Sequence, residues 1–203
     1  TMPPWPEAMV KPFDLARAPL LRVGLQEIAP LKHILMVDMH HIISDGISIN
    51  LVIKDFMASY GGQESTIPRL QYRDFCHWKN SREQQSRLRQ QEFYWLNRFA
   101  GEIPVLELPL DYPRPAVRVF TGSHQVFGMS SQETLLLEKY ALEQGTTLFM
   151  VLLAVFNVFL SRLSGQDDLV VGTPTAGRPH ADLEPIVGMF VNTLALRYFP
   201  RPD

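Results

Sequence analysis

The chain has little cysteine and no excess of charge of either sign. Cys76 is its single cysteine, which excludes an internal disulfide and is compatible with a reducing compartment. Lysine and arginine number 19 against 21 aspartates and glutamates. Basic residues are scattered among acidic ones, so the chain lacks the positive surface of a nucleic-acid binder or an anionic-membrane binder. The remaining composition, 46% hydrophobic and 20% charged, is typical of a globular protein.

Long apolar runs are also missing. The most apolar segment, residues 148–160, is too short to cross a bilayer, contains Asn157 and is closed by Ser161 and Arg162. We predict that it is a buried core helix. Residues 1–6 lack the positive patch and apolar run of a secretory signal and look like the interior of a longer chain. We therefore expect a cytoplasmic protein with no membrane partner.

The first half of the chain predicts a strand, a turn and helices. Residues 34–37 form an apolar run typical of a strand, and apolar residues at helical spacing from Ile49 to Tyr60 indicate a helix that ends at Gly61. Residues 70–101 are predicted to be helical. Residues 102–121 carry four prolines, which favour an extended segment. We place the lobe boundary there, with residues 1–101 in a first lobe and residues 122–203 in a second.

The second half alternates again between strands and helices. A strand is predicted over residues 123–129, followed by a capping box of Ser130 and Glu133 and a helix to about Glu143. Two further strands are predicted over residues 168–173 and 190–199. This order predicts an α/β fold with two-layer lobes.

The heptapeptide His40–Gly46 lies where the first predicted strand meets the first predicted helix. Adjacent residues of an extended segment point to opposite faces, so His40 and His41 should not serve one site equally. The same geometry argues against zinc, and no further histidine or cysteine cluster completes a ligand set. Residue by residue, the favoured interpretation is two core histidines beside a helix cap, and only the further segments described below outweigh it. A histidine at a cleft can transfer a proton near neutral pH.

Two other residues of the heptapeptide have expected roles. Asp45 is the nearest carboxylate; we favour a structural role, in which it binds an arginine that stiffens the loop, over contact with the histidine. Gly46 is expected to relieve crowding, either through a positive φ or through close approach of a substrate.

Several segments together resemble the condensation domains of nonribosomal peptide synthetases, which share the chloramphenicol-acetyltransferase-like fold. The heptapeptide is similar to their HHxxxDG motif. Four more segments match in the right order: Tyr72–Trp78, Leu108–Pro115, Thr173–Arg178 and Val187–Leu194. Cys76 stands where alanine is usual. The family's first and last motifs are absent, so we interpret the chain as the interior of a two-lobed domain, incomplete at both ends. Whether this chain is active alone stays open.

The resemblance implies an amide-forming acyltransferase in which His41 is catalytic, supported by His40, Asp45 and Gly46. It implies donor and acceptor peptidyl carrier domains that present thioesters on phosphopantetheine, a neighbouring adenylation domain, and no cofactor or metal bound by this domain itself. His41 would act either as a general base or as a hydrogen-bond partner of the tetrahedral intermediate. Three residues are candidate tunnel or structural partners, namely Asn192, Arg178 and Arg197, and either arginine could pair with Asp45.

Other assignments are open at this point. The sequence of residues 39–48 most resembles the motif of the condensation-domain subtype that joins L-configured donors and acceptors. The alternatives are an epimerisation domain, which would abstract a proton from an aminoacyl Cα, and a catalytically silent domain that binds a carrier or another partner. A heterocyclising domain would replace the double histidine with aspartate. Tyr72, Asp74 and Trp78 are expected to pack and cap.

Overall fold

In a computed structural model, described for residues 9–64, 67–117 and 119–200, the chain forms two compact units. The first unit contains the described residues up to Glu92 together with Pro174–Leu194, and the second contains Phe93–Thr173 with the described residues from Ala195 onward. The outermost parts of the two predicted lobes, residues 1–8 and 201–203, lie outside the described residues.

The first unit begins with an antiparallel hairpin. Strands β1 (Leu21–Ala29) and β2 (Lys32–Met39) pair so that Leu21 faces Met39. A 3₁₀ turn, His41–Ile43, leads into helix α1 (Gly46–Tyr60), which ends at Gly61 as predicted. The predicted strand and the junction are thereby confirmed, whereas β1 was not predicted.

Helices α2 (Tyr72–Lys79) and α3 (Arg82–Arg98) follow. They confirm the prediction of helix over residues 70–101, with a break at Asn80, where α2 is capped. Asp74 accepts the Gln71 N–H in a capping box, so its predicted capping role is also confirmed.

The second unit contains helices α4 (Ser131–Glu143) and α5 (Leu148–Ser164). The predicted capping box is present, because Ser130 accepts the Glu133 N–H while the Glu133 carboxylate accepts the Ser130 N–H. Strands β3 (Leu169–Thr175) and β4 (Asn192–Tyr198) pair as a second two-stranded sheet, and each contributes residues to both units.

Two predictions for the second half are wrong. Residues 123–129 form no strand, because no neighbouring strand pairs with them among the described residues; alternating side chains do not make a strand without a partner. Helix α5 is not a buried core helix: only Asn157 and Leu160 are buried, whereas Phe149 and Val155 are 58% and 59% exposed. The other described residues pack against only part of the surface of α5, so most of its apolar side chains are exposed.

The proline-rich segment behaves as predicted. Its described residues, 102–117 and 119–121, form neither helix nor strand. Gln166 holds one part of the segment, since its side chain accepts the Glu107 N–H and donates to the Val105 carbonyl. The compact units nevertheless divide differently from the predicted lobes, because residues 174–194 pack with the first unit through the contacts described below.

No single described helix is both long and apolar enough to span a membrane. Helices α4 and α5 meet that test of length and composition only as a pair, with a bend of 101° between them.

The core of the first unit lies where α2 meets residues 183–190. Phe75 and Phe190 are buried with ring centroids 4.6 Å apart, and Leu183 and Ile186 complete the cluster. Cys76 is half-buried against this core, in line with the interpretation that it is a small packing residue. This core places residues 186–190 beside the beginning of α1.

Candidate functional site

The two adjacent histidines have different surroundings. His40 is half-buried: its Nδ1 accepts the Ile42 N–H at 3.1 Å, and its ring meets the Phe13 ring edge-on. His41 opens the 3₁₀ turn and is exposed, and its imidazole has no hydrogen-bond partner among the residues described. His40 therefore caps the turn, while the His41 ring is left accessible.

Asp45 is buried directly after this turn, where it caps α1. Its Oδ1 accepts the Ser48 N–H at 2.8 Å and the Ser48 hydroxyl at 2.7 Å, and its Oδ2 accepts the Phe190 N–H at 3.1 Å. A negative charge is favourable at a helix N-terminus. Burial by itself raises the pKa of Asp45, but the hydrogen bonds from Ser48 and Phe190 and the Arg178 charge lower this pKa below its ordinary value.

Arg178 is the cationic partner of Asp45. Its Nη2 donates to Oδ1 at 3.1 Å and to Oδ2 at 3.3 Å, and its side chain is only 3% exposed. Its Nη1 donates to the carbonyls of Leu183 and Ile186. The guanidinium carbon lies 3.9 Å from the centre of the Phe190 ring, a distance typical of a cation–π contact. Asp45 thus has the structural contacts that we favoured from the sequence.

Ser48 completes the buried network and was not predicted. It is fully buried, and its hydroxyl lies within hydrogen-bond distance of Asp45, of Arg178 and of both backbone groups of Gly188. The only sequence signal is its spacing: a residue three positions after a helix cap presents its N–H to the capping carboxylate. The contact with Gly188 joins positions 140 residues apart, which spacing cannot reveal.

Two glycines make room for this network. Gly177 has a φ of +64°, and a Cβ there would lie 1.8 Å from the Phe190 carbonyl oxygen. A Cβ on Gly188 would lie 2.2 Å from the Tyr72 ring. The Tyr72 hydroxyl donates to the Met189 carbonyl at 2.7 Å, and burial raises the pKa of this phenol. Tyr72 therefore packs in the core, as expected.

The expectation for Gly46 is wrong in its structural part. Its φ is not positive, and a Cβ at this position would have no neighbour within 4 Å among the described atoms, because Gly46 is the first residue of α1 and faces open space. A close approach of a substrate to Gly46 stays a prediction.

Asn192 and Arg197 lie outside the buried network. Asn192 is exposed at the start of β4, its Oδ1 accepts the Thr193 N–H, and it borders a groove of about 520 Å³ within the first unit. Trp78 lines the same groove and contacts the Phe75 ring. Arg197 pairs with Asp168 in the second unit, so Arg178 is the arginine that binds Asp45.

The arrangement provides an accessible imidazole on a turn that is anchored immediately downstream. Such a group can accept or donate a proton near neutral pH. Within the described ranges, no three histidine, cysteine, aspartate or glutamate side chains are grouped closely enough to hold a metal ion. An accessible imidazole such as that of His41 is able to transfer a proton or to form a hydrogen bond.

Comparison with known sequences finds one family and similar proteins that are peptide synthetases. The profile of the Condensation domain family matches residues 5–203. Tyrocidine synthase 3 from Brevibacillus parabrevis is 54% identical over 194 residues, which cover 96% of this chain and 3% of that protein. Bacitracin synthase 2 from Bacillus licheniformis is 49% identical over 192 residues, which cover 95% of this chain and 7% of that protein. The chain thus spans a small part of these relatives.

Solved structures share the fold. A four-domain nonribosomal peptide synthetase, solved in its holo form with AMP and glycine, superposes with a TM-score of 0.79 at 31% identity, over 94% of this chain and 15% of that one. The X-domain from teicoplanin biosynthesis superposes with a TM-score of 0.83 at 25% identity, over 97% of this chain and 46% of that one.

Proposed function

This chain belongs to the condensation-domain family of nonribosomal peptide synthetases, and from that membership we propose that it forms amide bonds. The mixed helix-and-strand fold is that of condensation domains, as the sequence predicted. The reaction joins a donor aminoacyl or peptidyl thioester to the α-amine of an acceptor aminoacyl thioester. The domain is in this sense an acyltransferase.

The observation that carries the proposal is the accessible His41 ring on a turn fixed by buried Asp45. The acceptor amine attacks the thioester carbonyl carbon, a C–N bond forms and the C–S bond breaks. The donor's thiol leaves with the proton that the amine loses. His41 either accepts this proton or donates a hydrogen bond to the tetrahedral intermediate, and each role requires an imidazole at the reacting atoms.

The substrates would be delivered by two peptidyl carrier domains, each bearing its thioester on phosphopantetheine. Membership of large synthetases supports this arrangement, since the relatives are many times longer than this chain and one solved neighbour is a four-domain synthetase. An adenylation domain in the same protein would load the carriers. Holding both reactants together supplies much of the rate acceleration in such a reaction. Asn192 borders a groove and would line the path to the site or serve as a structural amide.

One observation favours a second function, a binding role. The X-domain, at 25% identity, has also been solved in complex with OxyB, so the same fold occurs in a partner complex. The presence of His41 beside the intact Asp45–Arg178 pair favours catalysis instead, because a binding domain does not need an accessible imidazole at this turn.

The test uses a full-length synthetase module with loaded carrier domains. We expect His41→Ala to lower the rate of dipeptide formation by at least about a hundredfold, which is the rate loss typical of removing a general acid or base. His33→Ala is the matched control, since His33 is an exposed histidine on β2 of the same unit. Dipeptide formation by His41→Ala at the wild-type rate would exclude the catalytic assignment. A D-configured residue formed without condensation would instead indicate an epimerisation domain.

A further inference from the structure

We propose that Ser48 is a positioning residue for His41: its buried hydroxyl ties the start of α1 to residues 178–188 and thereby holds the His41 turn in place. The inference rests on the proposed function, because it assigns Ser48 a role in the same reaction. Ser48 does not touch substrate in this scheme. It acts through Asp45 and the turn that precedes it.

The hydroxyl of Ser48 is fully used. Its oxygen lies 2.7 Å from Asp45 Oδ1 and 2.9 Å from the Gly188 carbonyl oxygen, which are alternative acceptors for its one proton, and it accepts from the Gly188 N–H at 3.0 Å and from Arg178 Nη2 at 3.2 Å. A serine hydroxyl has one proton and two lone pairs, so either acceptor together with the two donors satisfies it completely. Bonds to a carboxylate and from a guanidinium are stronger than neutral ones. One side chain therefore joins three separate segments of the first unit.

Removing this hydroxyl would disturb the backbone as well as the ion pair. The Gly188 N–H would lose its acceptor in a fully buried place, and an unpaired buried N–H is costly. Residues 188–190 would shift to find another partner. Because the Phe190 N–H is bound by Asp45, that shift would reach the carboxylate.

The connection from Asp45 to His41 is short and rigid. Ser44 and Asp45 are buried directly after the 3₁₀ turn, and the Ser44 N–H donates to the His41 carbonyl. On the other side, the His40 N–H donates to the Leu20 carbonyl next to β1. The exposed imidazole therefore sits on a turn fixed at both ends. Loosening the downstream end would misplace the ring even though every atom of His41 is still present.

The experiment compares Ser48→Ala, Ser48→Thr and Ser59→Ala in the full-length module with loaded carriers. Ser59 is an exposed serine near the end of the same helix, which makes it the matched control. We expect Ser48→Ala to lower kcat for dipeptide formation by about ten- to a hundredfold, because moving a catalytic group by about 1 Å causes a rate loss of this order. The KM for the acceptor carrier should be unchanged. Ser48→Thr retains a hydroxyl and should recover most of this loss.

A second measurement separates positioning from loss of folding. The imidazole resonances of His41, followed by NMR in histidine-labelled protein, should shift in Ser48→Ala and return towards the wild-type position in Ser48→Thr. Folding is checked by circular dichroism at the assay temperature. Should Ser48→Ala fail to fold, Ser48→Cys replaces it, because sulfur fills the space but forms only weak hydrogen bonds.

The outcomes are distinct. A folded Ser48→Ala with wild-type kcat, or with unchanged His41 resonances, would overturn the positioning role. A loss that Ser48→Thr does not recover at all would overturn it too. The Ser48 results test the positioning role only if His41→Ala is inactive in the same assay. If His41→Ala forms dipeptide at the wild-type rate, the proposed function itself is rejected.

Discussion

Asp45 and Arg178 lie 133 residues apart in the chain, yet their side chains meet at 3.1 Å with almost no access to solvent. The pair closes a loop between the start of α1 and the segment that follows β3. Neither residue forms a hydrogen bond or an ion pair with the His41 imidazole. The pair is instead the part of the site that fixes the backbone next to it.

Loss of the Arg178 side chain should destabilise the first unit. Arg178→Ala leaves a buried carboxylate without its cation, which costs roughly 3 to 5 kcal/mol in comparable cases. We expect faster hydrogen exchange in peptides that cover residues 41–48 and 186–192 of the full-length protein. Arg87→Ala is the control, since Arg87 pairs with Glu83 on an exposed helix surface and its loss should cost less than about 0.5 kcal/mol. Equal effects of the two substitutions would show that the buried pair is dispensable.

Acid should weaken the same region through Asp45. The pKa of this carboxyl is lower in the folded protein than in the unfolded chain. Its stabilising contribution is therefore fully present above the unfolded pKa of about 3.9 and is lost as the pH falls through the folded pKa. Protection factors for residues 186–192, corrected for intrinsic exchange, should differ strongly between wild type and Asp45→Asn at pH 7, and this difference should shrink towards pH 3. The exposed Asp55→Asn is the control, and a difference independent of pH would contradict the prediction.

Two glycines with similar positive φ values should respond differently to alanine. Gly165 has a φ of +70° with no atom within 4 Å of an added Cβ, so Gly165→Ala should cost only the left-handed strain of about 1 to 2 kcal/mol. Gly177 has a φ of +64° but would place its Cβ against the Phe190 carbonyl, so overpacking adds a further roughly 1 to 3 kcal/mol. Local unfolding free energies from hydrogen exchange measure both. Similar values would show that the backbone near Phe190 yields easily.

Local patterns predicted much of the fold. The helix at residues 46–60 and the capping box of Ser130 and Glu133 follow from spacing that the chain carries within a few residues. Strand β1 was not predicted, and residues 123–129 were wrongly predicted as a strand, because strand formation depends on pairing with a partner strand as well as on the residues of the segment itself.

The candidate site shows the same limit. The structural role of Asp45 could be predicted from a carboxylate beside a turn, but the choice between Arg178 and Arg197 could not, since it depends on which segment packs beside α1. Ser48 has an ordinary place in a helix, and its importance appears only with Gly188 beside it. For Gly46, the positive φ was expected wrongly, because a glycine at the first position of a helix needs no positive φ, whereas the close approach of a substrate stays a prediction.

The hydrogen bonds of Ser48 to Gly188 and of Asp45 to Phe190 matter for anyone who recombines synthetases. A chimera whose crossover falls between residues 93 and 173 takes these two segments from different parents. In such hybrids the two hydrogen-bonded segments come from different sequences and need not fit each other. Exchanging residues 40–48 and 174–194 together keeps both segments from the same parent synthetase.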